Sequence, residues 1–162
     1  MQLTPYLSFN GECEDAFKFY ERCLGGKLEY MMTYESRPAE FPVPAEWRKK
    51  ILHATLRLGD QVLQGADAPP DRYQKPQGFS LTLGLKDQAE AEGIFNALSE
   101  KGTVEMPLAE TFWAVRFGVL KMPFDSADHN DLHHWLGLSL ANTNWTTTYN
   151  YVYSLLWVSA AE

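Results

Sequence analysis

The segment MPLAETFWAVRFG, residues 106–118, places a carboxylate, two aromatic rings and a guanidinium close together along the chain. Glu110 beside Phe112 and Trp113 would be partly desolvated, which suits a general base or a metal ligand; a strand-end glutamate bonded to the backbone is the alternative. Phe112 and Trp113 would contact a flat substrate or pack in the core. Arg116 would bind a carboxylate or phosphate, or form a surface ion pair. We predict that this segment is a pocket wall.

A second candidate group lies on the strand predicted at residues 51–58. His53, Thr55 and Arg57 alternate with apolar residues and therefore share one strand face. If the apolar side packs on a helix, His53 is a candidate catalytic or metal-binding residue and Arg57 a candidate substrate-binding residue. The alternative is that this face is simply solvated. Gln64 on the next strand is a candidate ligand or a structural residue.

A third group, DHNDLHHW at residues 128–135, contains three of the four histidines. In a helix, His129 and His133 would share one face, and the neighbouring aspartates would add oxygen ligands. Adventitious zinc or nickel binding is one interpretation, and exposure in a polar loop is the other.

The composition limits the classes of partner. The chain has 162 residues and a formal net charge of -7, without a run of lysines or arginines. Binding to nucleic acid or to an anionic membrane is therefore not expected. No apolar run is long enough to cross a bilayer, and the N-terminus lacks the pattern of a signal peptide, so a cytoplasmic location is expected.

The two predicted helices carry recognisable signals. Asp87 and Glu90 form a predicted capping box at the start of the second helix. Cys13 and Cys23 both fall on the first helix, too far apart along its axis for a disulfide. They are predicted to be reduced thiols that pack in the core.

The order of predicted elements repeats once along the chain. One series of strand, helix and three strands occupies about residues 1–68, and a second begins in about 78–121. Its last strand is predicted in the β-prone run at 145–158, and residues 122–144 are left without an element. We predict an α+β fold, a single domain over 1–162, in which two βαβββ modules form a cupped mixed sheet with helices on its outer face.

Four stretches carry a resemblance to a known family: PYLSFNGECEDAFKFYERCLGGKLEY, HATLRLGDQVLQGAD, QGFSLTLGL and MPLAETFWAVRFGVLKM. They are similar to the PhnB-like branch of the vicinal oxygen chelate superfamily, which contains glyoxalase, bleomycin-resistance and extradiol dioxygenase proteins. After residue 121 the chain departs from the branch, so its C-terminal segment is atypical. Some members carry a demethylubiquinone methyltransferase description, but nothing in this sequence resembles a glycine-rich methyl-donor site.

The resemblance implies a candidate metal site. Metal-dependent members hold a divalent ion with His, Gln and Glu side chains, and the ion acts as a Lewis acid. The candidate ligands here are His53, Gln64 and Glu110. The first-strand position that usually carries a histidine falls near Leu3, Thr4 or Tyr6, so the usual set is incomplete.

The resemblance also implies a function. We expect a protein that binds a small molecule in a cup between the two modules, with catalysis left open. The alternative is a lyase, isomerase or dioxygenase that depends on a divalent metal. A homodimer is expected because exposed strand edges favour pairing.

Overall fold

The computed structural model describes residues 3–37, 43–74, 79–122, 124 and 135–141. The chain divides into two compact units. Unit 1 contains the described residues up to 74 together with Phe124, and unit 2 contains the other described residues. Neither helix in this part of the chain is long and apolar enough to cross a membrane.

Unit 1 is a mixed four-stranded sheet with one helix. Its elements are β1 (Tyr6–Phe9), α1 (Cys13–Leu24), β2 (Lys27–Thr33), β3 (Ile51–Leu58) and β4 (Gln61–Asp67), with two short 3-10 helices at Tyr34–Ser36 and Ala45–Trp47. The strand order is β1-β4-β3-β2. β1 pairs with β4 in parallel, and the other pairs are antiparallel. The predicted βαβββ series is confirmed.

Unit 2 repeats the same order of elements. They are β5 (Ser80–Gly84), α2 (Gln88–Ser99), β6 (Thr103–Ala109), β7 (Ala114–Lys121) and β8 (Trp135–Ala141). The strand order is β5-β8-β7-β6, with β5 parallel to β8. The fourth strand of this unit therefore lies in the range for which the sequence analysis assigned no element. The strand predicted at 145–158 lies outside the described residues.

Each helix packs one phenylalanine over a glycine of its sheet. A Cβ atom at Gly65 would lie 2.7 Å from the Phe17 ring, and one at Gly118 would lie 2.6 Å from the Phe95 ring. Both distances are too short for a side chain, so the two glycines permit close contact of helix and sheet. The apolar stripes predicted for the helices supply these rings.

Candidate functional site

The side chains of β3 divide between the two faces of the unit 1 sheet. Ala54 and Leu56 are fully buried on the side of α1. Because side chains alternate along a strand, His53 and Thr55 lie on the face away from the helix, and both are half-buried. The histidine therefore lies on a partly covered surface rather than in the core.

His53 is held by contacts on both sides. Its Nδ1 lies 3.3 Å from Tyr6 Oη, and its Nε2 lies 3.1 Å from Thr55 Oγ1. The centroid of its ring is 5.8 Å from that of Tyr6 and 6.0 Å from that of Tyr30. Both ring nitrogens are therefore engaged, and the imidazole lies between two tyrosine rings.

All four strands of unit 1 contribute to this surface. Thr55 and Tyr6 both pair with Gln64 in the strand register, and Met32 pairs with His53. The Tyr30 hydroxyl donates to the Met32 sulfur at 3.0 Å. We define the unit 1 face as Tyr6, Tyr30, Met32, His53, Thr55 and Gln64.

Arg57, a predicted substrate-binding residue, is paired within unit 1. Its Nε donates to Glu29 Oε1 at 2.6 Å, and both side chains are exposed. The hydrogen bond from Arg57 lowers the pKa of Glu29. The guanidinium charge is thus balanced by a carboxylate of the neighbouring strand.

The aromatic residues of the predicted pocket wall form a cluster in unit 2. The Trp113 ring lies 4.4 Å from the Phe112 ring and 5.6 Å from the Phe117 ring, centroid to centroid, in edge-on arrangements. Phe112 is 81% exposed. Glu110 is also exposed, so the described residues do not provide the desolvation that its predicted role as a base requires.

Arg116 contacts the helix of its own unit. Its Nε lies 3.3 Å from Glu92 Oε1 on α2. Gly118, two residues further along β7, faces the same helix. The structure therefore places the Arg116 guanidinium in an ion pair, which is the alternative given for it in the sequence analysis.

The predicted metal ligands are divided between the two units. His53 and Gln64 lie on the unit 1 face, and Glu110 lies in unit 2. In the described residues no three His, Cys, Asp or Glu side chains are grouped so as to hold a metal ion. Both His53 nitrogens have hydroxyl partners in unit 1, so a metal ion bound by this histidine would have to replace one of these two contacts. The histidine group at residues 128–134 lies outside the described residues.

Asp67 is a buried carboxylate that the sequence analysis did not single out. It is 1% exposed. Its Oδ1 accepts from the Cys13 N–H at 2.9 Å and its Oδ2 from the Ile51 N–H at 2.7 Å. Its carbonyl oxygen accepts from the Tyr34 hydroxyl at 2.8 Å. Asp67 thus joins the ends of α1, β3 and β4, a role for which no local pattern gives a signal.

Burial makes both acidic groups of this cluster weaker acids. It raises the pKa of Asp67, although the N–H groups of Ile51 and Cys13 partly oppose the rise. Burial, followed by the charge of Asp67, also raises the pKa of the Cys13 thiol. Cys13 and Cys23 are free and buried, which confirms the prediction that they are packed thiols. A thiol with a raised pKa is a poor nucleophile.

Two units of identical element order, each a mixed sheet with one helix, define a glyoxalase-like fold. The profile of the family described as "3-demethylubiquinone-9 3-methyltransferase" matches residues 1–121. The protein YjdN of Escherichia coli K12 is 34% identical over an alignment of 131 positions, and the match covers 73% of this chain and 86% of YjdN. The chain therefore belongs to this family, the PhnB-like branch of the vicinal oxygen chelate superfamily.

Solved structures show the same fold. Protein PA1353 from Pseudomonas aeruginosa is 39% identical and superposes with a TM-score of 0.72, covering 86% of this chain and 98% of PA1353. The PhnB protein from Bacillus cereus is 21% identical with a TM-score of 0.67, covering 87% of this chain and 100% of PhnB, and shows the same fold.

Proposed function

We propose that the protein binds a small, flat organic molecule on the unit 1 face. The observation that carries the proposal is the position of His53 between two tyrosine rings that remain partly open. Tyr6 is 51% exposed and Tyr30 48% exposed. Half-exposed aromatic rings beside a few fixed polar groups are typical of small-molecule sites.

The hydrogen bonds of the unit 1 face support the proposal. Here hydroxyls from β1 and β3 hold the His53 ring at 3.3 Å and 3.1 Å. The face therefore presents its rings in a fixed arrangement, which lowers the entropy that a ligand must lose on binding.

We do not extend the proposal to metal-dependent catalysis. The lyase, isomerase or dioxygenase alternative requires a ligand set, and the His53 nitrogens are engaged by Tyr6 and Thr55. Methyl transfer, which the family description names, is not proposed either, because no glycine-rich methyl-donor motif is recognised in the sequence.

Ligand-observed NMR with a panel of monocyclic and bicyclic aromatic compounds tests the proposal. We expect saturable binding in the absence of added metal. Tyr30→Ala should weaken that binding roughly tenfold, because it removes one aromatic wall. Val104→Ala, which alters an exposed apolar residue of unit 2, is the matched control and should have no effect.

Two results would contradict the proposal. Loss of binding in Trp113→Ala but not in Tyr30→Ala would place the ligand on unit 2. Binding that requires Zn²⁺ or Mn²⁺ and disappears in His53→Ala would favour the metal-dependent enzyme instead.

A further inference from the structure

The hydrogen bonds around His53 form a short chain with a direction. Tyr6 Oη contacts Nδ1, and Nε2 contacts Thr55 Oγ1. A neutral imidazole carries one N–H, so one hydroxyl donates to the ring and the other accepts from it. The direction of the chain decides which of the two hydroxyls keeps a proton for another partner.

Elementary acidity favours one direction. A phenol is a stronger acid than an aliphatic hydroxyl and hence the better donor, whereas the aliphatic oxygen is the better acceptor. In this direction Tyr6 donates to Nδ1, and the Nε2–H group donates to Thr55.

The Thr55 hydroxyl then has a proton of its own to donate. No acceptor for this proton is found among the residues that the structure describes. Gln64 lies directly opposite Thr55 in the antiparallel register, a position at which facing Cβ atoms are about 5 Å apart. The Gln64 carboxamide also has no hydrogen-bond partner in the described part of the chain. The Thr55 hydroxyl and the Gln64 amide group are thus two neighbouring donors on the unit 1 face.

The charge of this surface is balanced. Arg57, which follows Thr55 on the same side of β3, forms the ion pair with Glu29. The six residues of the unit 1 face include no Asp, Glu, Lys or Arg. An anionic ligand would therefore find no unpaired cation among these residues.

We infer that the unit 1 face selects uncharged, flat molecules carrying a carbonyl-type acceptor, which Thr55 and Gln64 bind while the two tyrosine rings contact the flat surface. This inference rests on the proposed function and adds the ligand class to it. Thr55 is the residue that determines specificity. His53 is a positioning residue, because it directs the Thr55 proton toward the ligand.

The first test needs no ligand. Long-range ¹⁵N–¹H NMR correlations of the histidine ring report which nitrogen carries the proton. We expect the Nε2–H form of His53 in the free protein, with a weaker preference in Tyr6→Phe, which loses the donor to Nδ1. An Nδ1–H form in the unchanged protein would overturn the inference whatever binds.

The second test compares three probes of similar shape. Acetophenone carries a carbonyl, α-methylstyrene replaces that oxygen with a methylene group, and benzoate carries a negative charge. Loss of one hydrogen bond weakens binding by roughly five- to tenfold. Because α-methylstyrene loses its acceptor for both Thr55 and Gln64, we expect acetophenone to bind at least that much more tightly than α-methylstyrene in NMR titrations. We also expect it to bind more tightly than benzoate, whose charge finds no Lys or Arg among the six residues of the unit 1 face.

Variants at one position complete the test. Thr55→Val preserves shape and should reduce the preference for acetophenone over α-methylstyrene, because only the Gln64 donor remains, whereas Thr55→Ser should retain it in full. Both should still unfold in a single cooperative urea transition, which separates a loss of specificity from a loss of folding.

The outcomes separate this inference from the proposed function. Equal binding of acetophenone and α-methylstyrene would overturn the inference and leave the binding function standing. Tightest binding of benzoate would overturn the assignment of an uncharged ligand. Failure of all three probes to bind would overturn both the inference and the proposed site.

Discussion

The two units have the same order of elements but carry different chemistry on the side of the sheet away from the helix. The unit 1 face is polar and hydrogen-bonded. In unit 2, Gly118 and Leu120 of β7 point toward α2, so Phe117 and Val119 occupy the opposite side. A repeated topology therefore does not repeat a site: β7 occupies the position in unit 2 that β3 has in unit 1, and Phe117 and Val119 stand on the side where β3 carries His53 and Thr55.

The units also differ in how their helices begin. Asp87 caps α2 locally, because its side chain accepts from the Glu90 N–H at 2.8 Å. α1 has no such local cap, and the Cys13 N–H is bound by Asp67 from the end of β4. The start of α1 is thus tied to the strands that bear the unit 1 face, whereas the start of α2 depends on its own sequence.

The largest expected effect follows from this difference. Asp67→Ala leaves two buried N–H groups without acceptors and should lower the free energy of unfolding by about 3 kcal/mol. Asp87→Ala removes an exposed cap and should cost about 1 kcal/mol. Urea denaturation of the two variants measures both. Equal losses would mean that Asp67, which binds the start of α1 from a distant strand, stabilises the fold no more than the local Asp87 cap does.

Two glycine substitutions test whether helix and sheet pack in the same way in both units. Gly65→Ala and Gly118→Ala each force a methyl group against a helix phenylalanine and against backbone atoms. Overpacking of this kind should cost about 2 kcal/mol at each site. The midpoints of urea unfolding should fall by similar amounts. A loss at only one glycine would show that the helices are not packed equivalently.

The pH dependence of stability tests the buried carboxylate of unit 1. Because the pKa of Asp67 is raised when folded, protonation favours the folded state, and this contribution is lost as pH rises through the folded pKa. Stability relative to Asp67→Asn should therefore be greater at about pH 4 than at about pH 7. If the stability relative to Asp67→Asn fell on acidification, the hydrogen bonds from the Ile51 and Cys13 N–H groups would lower the pKa of Asp67 more than burial raises it.

The smallest effect is expected at the ion pair of unit 2. Arg116 and Glu92 are both partly exposed, and such pairs contribute about 0–1 kcal/mol. Arg116→Ala should therefore change the unfolding midpoint little and leave acetophenone binding unchanged. Weaker acetophenone binding in this variant would give Arg116 the ligand-binding role that the sequence first indicated.

Much of the fold follows from local patterns. Period-two alternation on β3 places His53 opposite the buried Ala54 and Leu56, and the stripes of the two helices mark their packed sides. The Asp87 cap was predicted because its partner is three residues away. These features depend on neighbours in sequence, which is why the sequence reports them.

The site depends on contacts between distant residues. Tyr6 and His53 are 47 positions apart, and Cys13 and Asp67 are 54 apart. Nothing near Tyr6 or Tyr30 in the sequence marks them as partners of a histidine. The alternation of side chains along β1 and β2 was the only available signal, because it places Tyr6 and Tyr30 on the side of the sheet away from the helix. The pairing of Arg116 with Glu92 joins β7 to α2 and likewise lies beyond local pattern.

One measurement tests the central claim, that ligand recognition belongs to the unit 1 face. Protein with ¹³C-labelled tyrosine and tryptophan rings is titrated with acetophenone, and the NMR shifts of each ring are followed. The account predicts saturable shifts of Tyr6 and Tyr30 with one common dissociation constant and no matching shift of Trp113. Saturable shifts of Trp113, with the two tyrosines unchanged, would contradict it.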